Sequence, residues 1–99
     1  MKRINIVFEY DYEDVDIMLV PDEIADNIEA IVREFNTWLY NPENRHRFLI
    51  ENADGTTVLG IGSLEFLWWL NNYRIRNDES AMIIEQHTSY CPQLPMADF

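Results

Sequence analysis

Residues 22–39 read DEIADNIEAIVREFNTWL, and the spacing of apolar side chains in this stretch decides the fold. Large apolar residues recur every three or four positions, which is the repeat of an amphipathic α-helix with one buried face. Pro21 suits the first turn of such a helix, and Pro42 forces the residue before it out of the helical conformation. The sequence therefore predicts a helix from about Pro21 to Asn41, and its buried stripe consists of Ile24, Ile28, Ile31, Phe35 and Leu39.

The segment that precedes this helix predicts a β-hairpin. Apolar and mostly polar residues alternate over residues 3–10, which is typical of a half-buried strand. A second alternating stretch covers residues 15–20. Residues 11–14 between them are polar and acidic, and we expect them to form the turn.

The segment that follows the helix predicts a second hairpin. Residues 47–51 and 56–61 have the composition of strands. Between them stands Asp54-Gly55, a dipeptide that strongly favours a tight hairpin turn.

A second helix and a last strand are predicted in the remaining chain. Ser63 is a suitable N-cap for a helix from residue 64 to about residue 73. Residues 81–85 have the composition of a strand, and an irregular tail is expected from about residue 88.

Together these elements predict an α+β fold. Its sheet is antiparallel or mixed, has four to five strands, and carries two helices packed on one face. The length of 99 residues predicts a single domain, residues 1–99, with the irregular tail at its C-terminal end.

Composition excludes several classes of protein. Aromatic residues make up 13% of the chain, which argues against disorder. Cys91 is the single cysteine, so no internal disulfide can form. The longest apolar run, residues 66–70, is far shorter than the ~20 residues of a membrane-spanning helix, and no signal peptide is recognisable. We therefore expect a cytoplasmic protein with no membrane partner.

Charge is the strongest functional signal in the sequence. The chain has 18 acidic and 7 basic residues, and ten of the acidic residues but one of the basic residues lie between Glu9 and Glu34. This imbalance argues against direct binding to nucleic acid and favours a basic protein partner. The alternative is an ordinary solvated surface. The candidate partner-binding residues are Glu9, Asp11, Glu13, Asp14, Asp16, Asp22, Asp26 and Glu29.

Catalytic and metal sites are not indicated by the sequence. The acidic stretch after Glu9 lacks the glycine and the bidentate glutamate of a calcium loop. His46, His87 and Cys91 supply only three ligands for zinc, and a Cys–His nucleophile would also need an orienting group. We expect no enzymatic activity, no cofactor and no bound metal.

The segment Leu64-Glu65-Phe66-Leu67-Trp68-Trp69-Leu70 is the other notable feature. Adjacent helix positions point about 100° apart, so the two indoles cannot both face the same spot. One should lie in the core, while the other is exposed or covered by the C-terminal tail. The alternative is that both are buried with their N–H groups bonded.

In size, acidity and α+β pattern, and in this tryptophan-rich segment, the chain resembles the small immunity proteins of bacterial polymorphic-toxin and contact-dependent growth inhibition systems. The resemblance implies a protein that neutralises a basic cognate toxin by covering its surface, here through the acidic residues. The alternative is an acidic nucleic-acid mimic of the anti-restriction or anti-CRISPR type, which inhibits a DNA- or RNA-binding protein.

Overall fold

The computed structural model describes residues 1–76 and 78–99, with the exception of the His46 side chain. The helices and strands, in chain order, are β1 (Lys2–Val7), β2 (Val15–Val20), α1 (Asp22–Asp26), α2 (Ile28–Leu39), α3 (Pro42–Arg45), β3 (Leu49–Glu51), β4 (Thr57–Leu59), α4 (Ser63–Trp69), β5 (Met82–Thr88) and β6 (Met96–Asp98). A short 3₁₀ turn, His46–Phe48, leads into β3, and a π-helical turn, Leu70–Arg74, follows α4.

The main sheet has four strands in the order β5-β2-β1-β6. β1 pairs antiparallel with β2, β2 pairs antiparallel with β5, and β6 runs parallel to β1. The predicted α+β class with a mixed sheet is confirmed. The second hairpin, β3–β4, was expected to join this sheet, but it forms a two-stranded sheet of its own.

The predicted apolar stripe lies on one face of the sheet. All five of its residues are buried together with Ile4, Ile6, Met18 and Val20 of β1 and β2. Phe35 is at the centre, because its ring contacts those of Phe66, Trp69 and Phe99 at centroid distances of 5.3 to 5.7 Å. The helix is not continuous, however. It is interrupted at Asn27, whose backbone leaves the helical conformation and whose side chain donates to the Glu23 carbonyl.

The opposite face of the sheet is covered by the C-terminal segment. Val7, Val15 and Ile17 are buried there beneath Tyr90, Leu94 and Met96. The prediction of an irregular tail from residue 88 is therefore wrong in part: β5 extends to Thr88, and Met96–Asp98 is a strand of the main sheet. The apolar residues of the C-terminal segment do not alternate regularly with polar ones, so the segment lacks the period-two pattern that indicates a strand.

Asn5 fixes this segment to the sheet. It is fully buried in the middle of β1. Its amide nitrogen donates to the carbonyls of Cys91 and Leu94 at 2.9 and 3.2 Å, and its amide oxygen accepts from the Cys91 backbone N–H at 3.0 Å. A buried amide is stable only when its donors and acceptors are satisfied, and here the backbone of the C-terminal segment satisfies them.

Several predicted boundaries move. The first strand ends at Val7 and not at residue 10, because Glu9 and Tyr10 have positive φ angles and turn the chain. The N-cap of α4 is Gly62 and not the predicted Ser63, which is the first helical residue. The Gly62 N–H donates to the Glu65 carboxylate at 3.2 Å. Among the described residues, none of the helices has the length and apolar character needed to cross a lipid bilayer.

Candidate protein-binding surface

The eight candidate acidic residues fall into two groups. Glu9, Asp11, Glu13, Asp14 and Asp16 lie in or beside the β1–β2 turn, and we call them the acidic turn. Asp22, Asp26 and Glu29 lie on α1 and at the start of α2, and we call them the helix acids. β2 separates the two groups, and its six residues span about 20 Å. The sequence cluster is therefore not one continuous acidic face.

The helix acids are partly neutralised by cations of the chain. Asp22 pairs with the N-terminal ammonium of Met1 at 2.9 Å, and Asp26 pairs with Lys2 at 2.6 Å. The hydrogen bond and charge of the ammonium group lower the pKa of Asp22, and the hydrogen bond and charge of Asp26 raise the pKa of Lys2. These pairs reduce the field that the helix acids present to a partner.

The acidic turn has fewer ionic partners within the described chain. Glu9, Asp11, Asp14 and Asp16 line one open groove with Ser63 and His87. Within residues 1–76 and 78–99, no lysine or arginine forms an ion pair with these carboxylates. The groove is therefore lined by four acidic residues and by no lysine or arginine.

The C-terminal segment holds the acidic turn in place. The Glu9 N–H donates to the Phe99 carbonyl at 3.3 Å, and the Tyr90 N–H donates to the Tyr12 carbonyl at 3.0 Å. Phe99 also stacks on Phe8 at 4.7 Å, and Tyr90 meets Tyr12 edge-on at 5.5 Å. Carboxylates on a turn fixed in this way are preorganised for a partner, which lowers the entropy lost on binding.

His87 completes the groove. The register between β2 and β5 shifts by one residue between Glu85 and Thr88, and His87 has a φ of +54° within this irregularity. Its ring Nδ1 lies 2.7 Å from the Asp14 carboxylate, and its backbone N–H donates to Asp16 at 3.2 Å. The hydrogen bond and charge of Asp14 raise the pKa of the His87 imidazole. The sequence did not predict the contact between His87 and Asp14, because the irregularity of β5 leaves no sequence signal.

A second notable surface is apolar. Trp69 is 4% exposed, whereas Trp68 is 39% exposed, so of the two alternatives left open by the sequence the structure has one core indole and one exposed indole. Trp68 belongs to an aromatic cluster with ring centroids 5.2 to 6.3 Å apart. The members are Trp38, Phe48, Trp68 and Tyr73.

The π-helical turn builds this aromatic cluster. In a regular α-helix, residues five apart point about 140° away from each other. The wider turn at Leu70–Arg74 instead brings Tyr73 to within 5.4 Å of Trp68. The Tyr73 hydroxyl then accepts a hydrogen bond from Arg47 at 3.3 Å. π-Helical turns are rare and frequently occur at functional sites.

Metal-ligating groups do not converge in the described part of the chain: no three side chains of His, Cys, Asp or Glu lie close enough to share an ion. Cys91 is half-buried and its thiol donates to Gln93 at 3.0 Å.

No protein-family model matches the chain, and neither a curated protein nor a solved structure is significantly similar to it.

Proposed function

We propose that this chain is a protein-binding inhibitor of the immunity type, which neutralises a basic protein through the acidic turn and acts without catalysis. The observation that carries the proposal is the contrast between the two acidic groups. The helix acids Asp22 and Asp26 are paired within the chain. Four of the five residues of the acidic turn line an open groove, and among the described residues the carboxylates of the turn have only His87 as an ionic partner. Unpaired charges on a fixed surface attract an oppositely charged partner and orient it.

The alternative of a nucleic-acid mimic gains less support. A mimic needs carboxylates spaced along an extended surface, as phosphates are spaced along a duplex. The acidic residues here are separated into two groups towards opposite ends of β2. Among the described residues, one group is paired with Lys2 and the N-terminal ammonium, and the other is paired only with His87. A compact acidic groove matches a basic protein surface better.

Three double charge reversals test the proposal, because each changes the net charge by the same amount. The first reverses Glu9 and Glu13 to Lys, in the acidic turn. The second reverses Asp26 and Glu29 to Lys, among the helix acids. The control reverses Glu43 and Glu51 to Lys, which are exposed residues on α3 and β3.

The partner to test is the toxin domain encoded directly upstream of this chain, the arrangement that the immunity resemblance implies. Surface plasmon resonance should show that the first variant associates about tenfold more slowly at low salt. The association rate of the second variant should fall less, and that of the control should change by less than about twofold. The difference should shrink at 1 M salt, where the screening length is only about 3 Å. Equal effects of all three variants would contradict the proposal.

A further inference from the structure

An apolar surface adjoins the acidic groove. It consists of Leu64, Leu67 and Trp68 of α4 together with Met82 and Ile84 of β5, and we call it the α4–β5 surface. Leu64 is 64% exposed, and Met82 is 50% exposed. Leu64 lines a groove with Met82 and Ile84 on one side and a groove with Phe48 and Trp68 on the other. Exposed apolar side chains that line adjoining grooves, unlike scattered ones, mark interaction sites.

The α4–β5 surface meets the acidic groove at two places. Ser63 lines the acidic groove, and the next residue, Leu64, lines both apolar grooves. His87 lines the acidic groove, and the residue before it, Gln86, lines the apolar groove along β5. One partner can therefore contact both surfaces at once. An apolar centre with charged residues at its rim is the usual anatomy of a protein–protein interface.

We propose that the α4–β5 surface docks the apolar side chains of a cationic amphipathic segment, whose basic side chains enter the acidic groove. This inference rests on the proposed function and names the chemistry of the partner. Because the groove beside the apolar contact is acidic, the partner segment must be positively charged there. The partner segment therefore carries Lys or Arg next to its apolar residues. The apolar contact holds the complex, while the carboxylates speed its formation.

A second copy of this chain fits the surface less well. Each copy has a net charge of −11, and packing two α4–β5 surfaces together would bring two acidic grooves close to each other. Pairing of a partner's strand with the free edge of β5 is also disfavoured. β5 has two register irregularities against β2, and such irregularities protect sheet edges from pairing with another strand. The contact is therefore made by side chains with a basic partner.

Synthetic peptides of about 15 residues, long enough to form a helix, serve as probes. The first is an amphipathic Leu/Lys peptide, the second a Ser/Lys peptide of equal charge, and the third a Leu/Glu peptide. Binding is measured by tryptophan fluorescence and by amide chemical shifts. The Leu/Lys peptide should bind at least about tenfold more tightly than the Ser/Lys peptide, since it alone buries leucines. Its shifts should include Leu64, Trp68 and the acidic turn, and the Leu/Glu peptide should not bind.

A matched pair of variants locates the contact. Leu64→Ser should weaken binding of the Leu/Lys peptide about tenfold. Tyr40→Ser is the control, because Tyr40 is exposed to nearly the same degree, 60%, at the end of α2. It should change the affinity by less than about twofold. Circular dichroism confirms that both variants are folded, and the high exposure of both side chains makes loss of the fold a minor concern.

Three results would overturn the inference. The first is equal affinity for the Leu/Lys and Ser/Lys peptides. This result would exclude the apolar docking site but would remain compatible with the proposed function, which depends on the acidic turn. The second is an unchanged affinity in Leu64→Ser. The third is a concentration-dependent dimer in sedimentation that Leu64→Ser abolishes, which would assign the surface to a second copy. If Leu64→Ser weakens binding but Glu9→Lys with Glu13→Lys does not, the apolar docking site stands and the proposed function fails.

Discussion

The two faces of the main sheet are covered in different ways. On one face, α1, α2 and α4 bury a large cluster with Phe35 at its centre. On the other, a segment with little regular structure covers Val7, Val15 and Ile17. Burial of apolar area holds the first face together, whereas the second depends on a small apolar cluster and on the hydrogen bonds of one buried amide, Asn5. We call them the helix face and the tail face.

The difference bears on function, because the tail face supports the acidic turn. Tyr90 packs on the tail face, donates its N–H to the Tyr12 carbonyl and meets the Tyr12 ring edge-on, whereas the ring of Phe99 packs on the helix face. Disturbing the helix face should therefore unfold the whole domain, while disturbing the tail face should loosen the acidic turn before the domain unfolds.

The largest effect is expected from Phe35→Ala on the helix face. The substitution removes a fully buried ring that contacts four other aromatic rings. Such truncations lower the free energy of unfolding by about 3–5 kcal/mol. Urea denaturation followed by circular dichroism measures the change. A melting temperature within about 4 °C of the parent, which corresponds to less than about 1 kcal/mol, would show that this ring does not organise the core.

Asn5→Ala should have the next largest effect, and on the tail face. Removing the amide leaves buried carbonyls of the C-terminal segment and the Cys91 N–H without their partner, at a cost of about 1–3 kcal/mol. Amide hydrogen exchange should accelerate most at residues 91–98 and in the acidic turn. Asn72→Ala is the control, since Asn72 makes one exposed hydrogen bond to the Trp68 carbonyl. Uniform acceleration over the whole domain in Asn5→Ala would show that the two faces open together.

The sequence predicted the helix face well and the tail face poorly, for a physical reason. Ile24, Ile28, Ile31, Phe35 and Leu39 repeat with the period of the helix, so their common face was visible in the sequence. Asn5 stands at a polar position of the alternation in β1, and its partners are backbone groups 86 to 89 residues away. Contacts between a side chain and a distant backbone leave no periodic signal. The interruption at Asn27 was missed because a helical stripe can continue across it.

The candidate site, like the fold, was predicted only in part. The acidic residues between Glu9 and Asp16 were recognised from their charge, and the structure places them around one groove and its turn. Their separation from Asp22 and Asp26 follows from the strand predicted over residues 15–20, which a count of charges along the sequence does not take into account. The contact of His87 with Asp14 depends on the irregular end of β5.

Tyr90→Ala should have a smaller effect that is confined to the tail face. It removes the edge-on contact with Tyr12, which lies in the acidic turn, and such aromatic pairs contribute about 0.5–1.5 kcal/mol. Hydrogen exchange should rise in residues 9–14. Tyr73→Ala is the control, because Tyr73 also contacts an aromatic ring, that of Trp68, but does not belong to the cluster on the tail face. A rise of exchange in residues 9–14 in both variants would mean that the acidic turn is not held by the tail face.

The smallest effect on stability is expected from the ion pair between His87 of β5 and Asp14 of the acidic turn. This contribution to stability depends on pH. The Asp14 carboxylate raises the pKa of the folded-state His87 imidazole above its ordinary value of 6.5. Protonated His87 therefore stabilises the fold fully below pH 6.5, and this contribution is lost as the pH rises through the raised pKa. Because the pair is exposed, the change in stability should be small.

His87→Asn isolates this contribution, since the parent and the variant differ only at this residue. The stability difference between parent and variant, measured by urea denaturation from pH 5 to pH 8, should favour the parent at the acidic end and diminish towards the alkaline end. Loss of the His87 proton also leaves the groove more negative, so the Leu/Lys peptide should bind the parent more tightly as the pH rises. The variant should show a weaker dependence. A parent whose advantage grows from pH 5 to pH 8 would contradict the pairing, because that sign requires a lowered pKa.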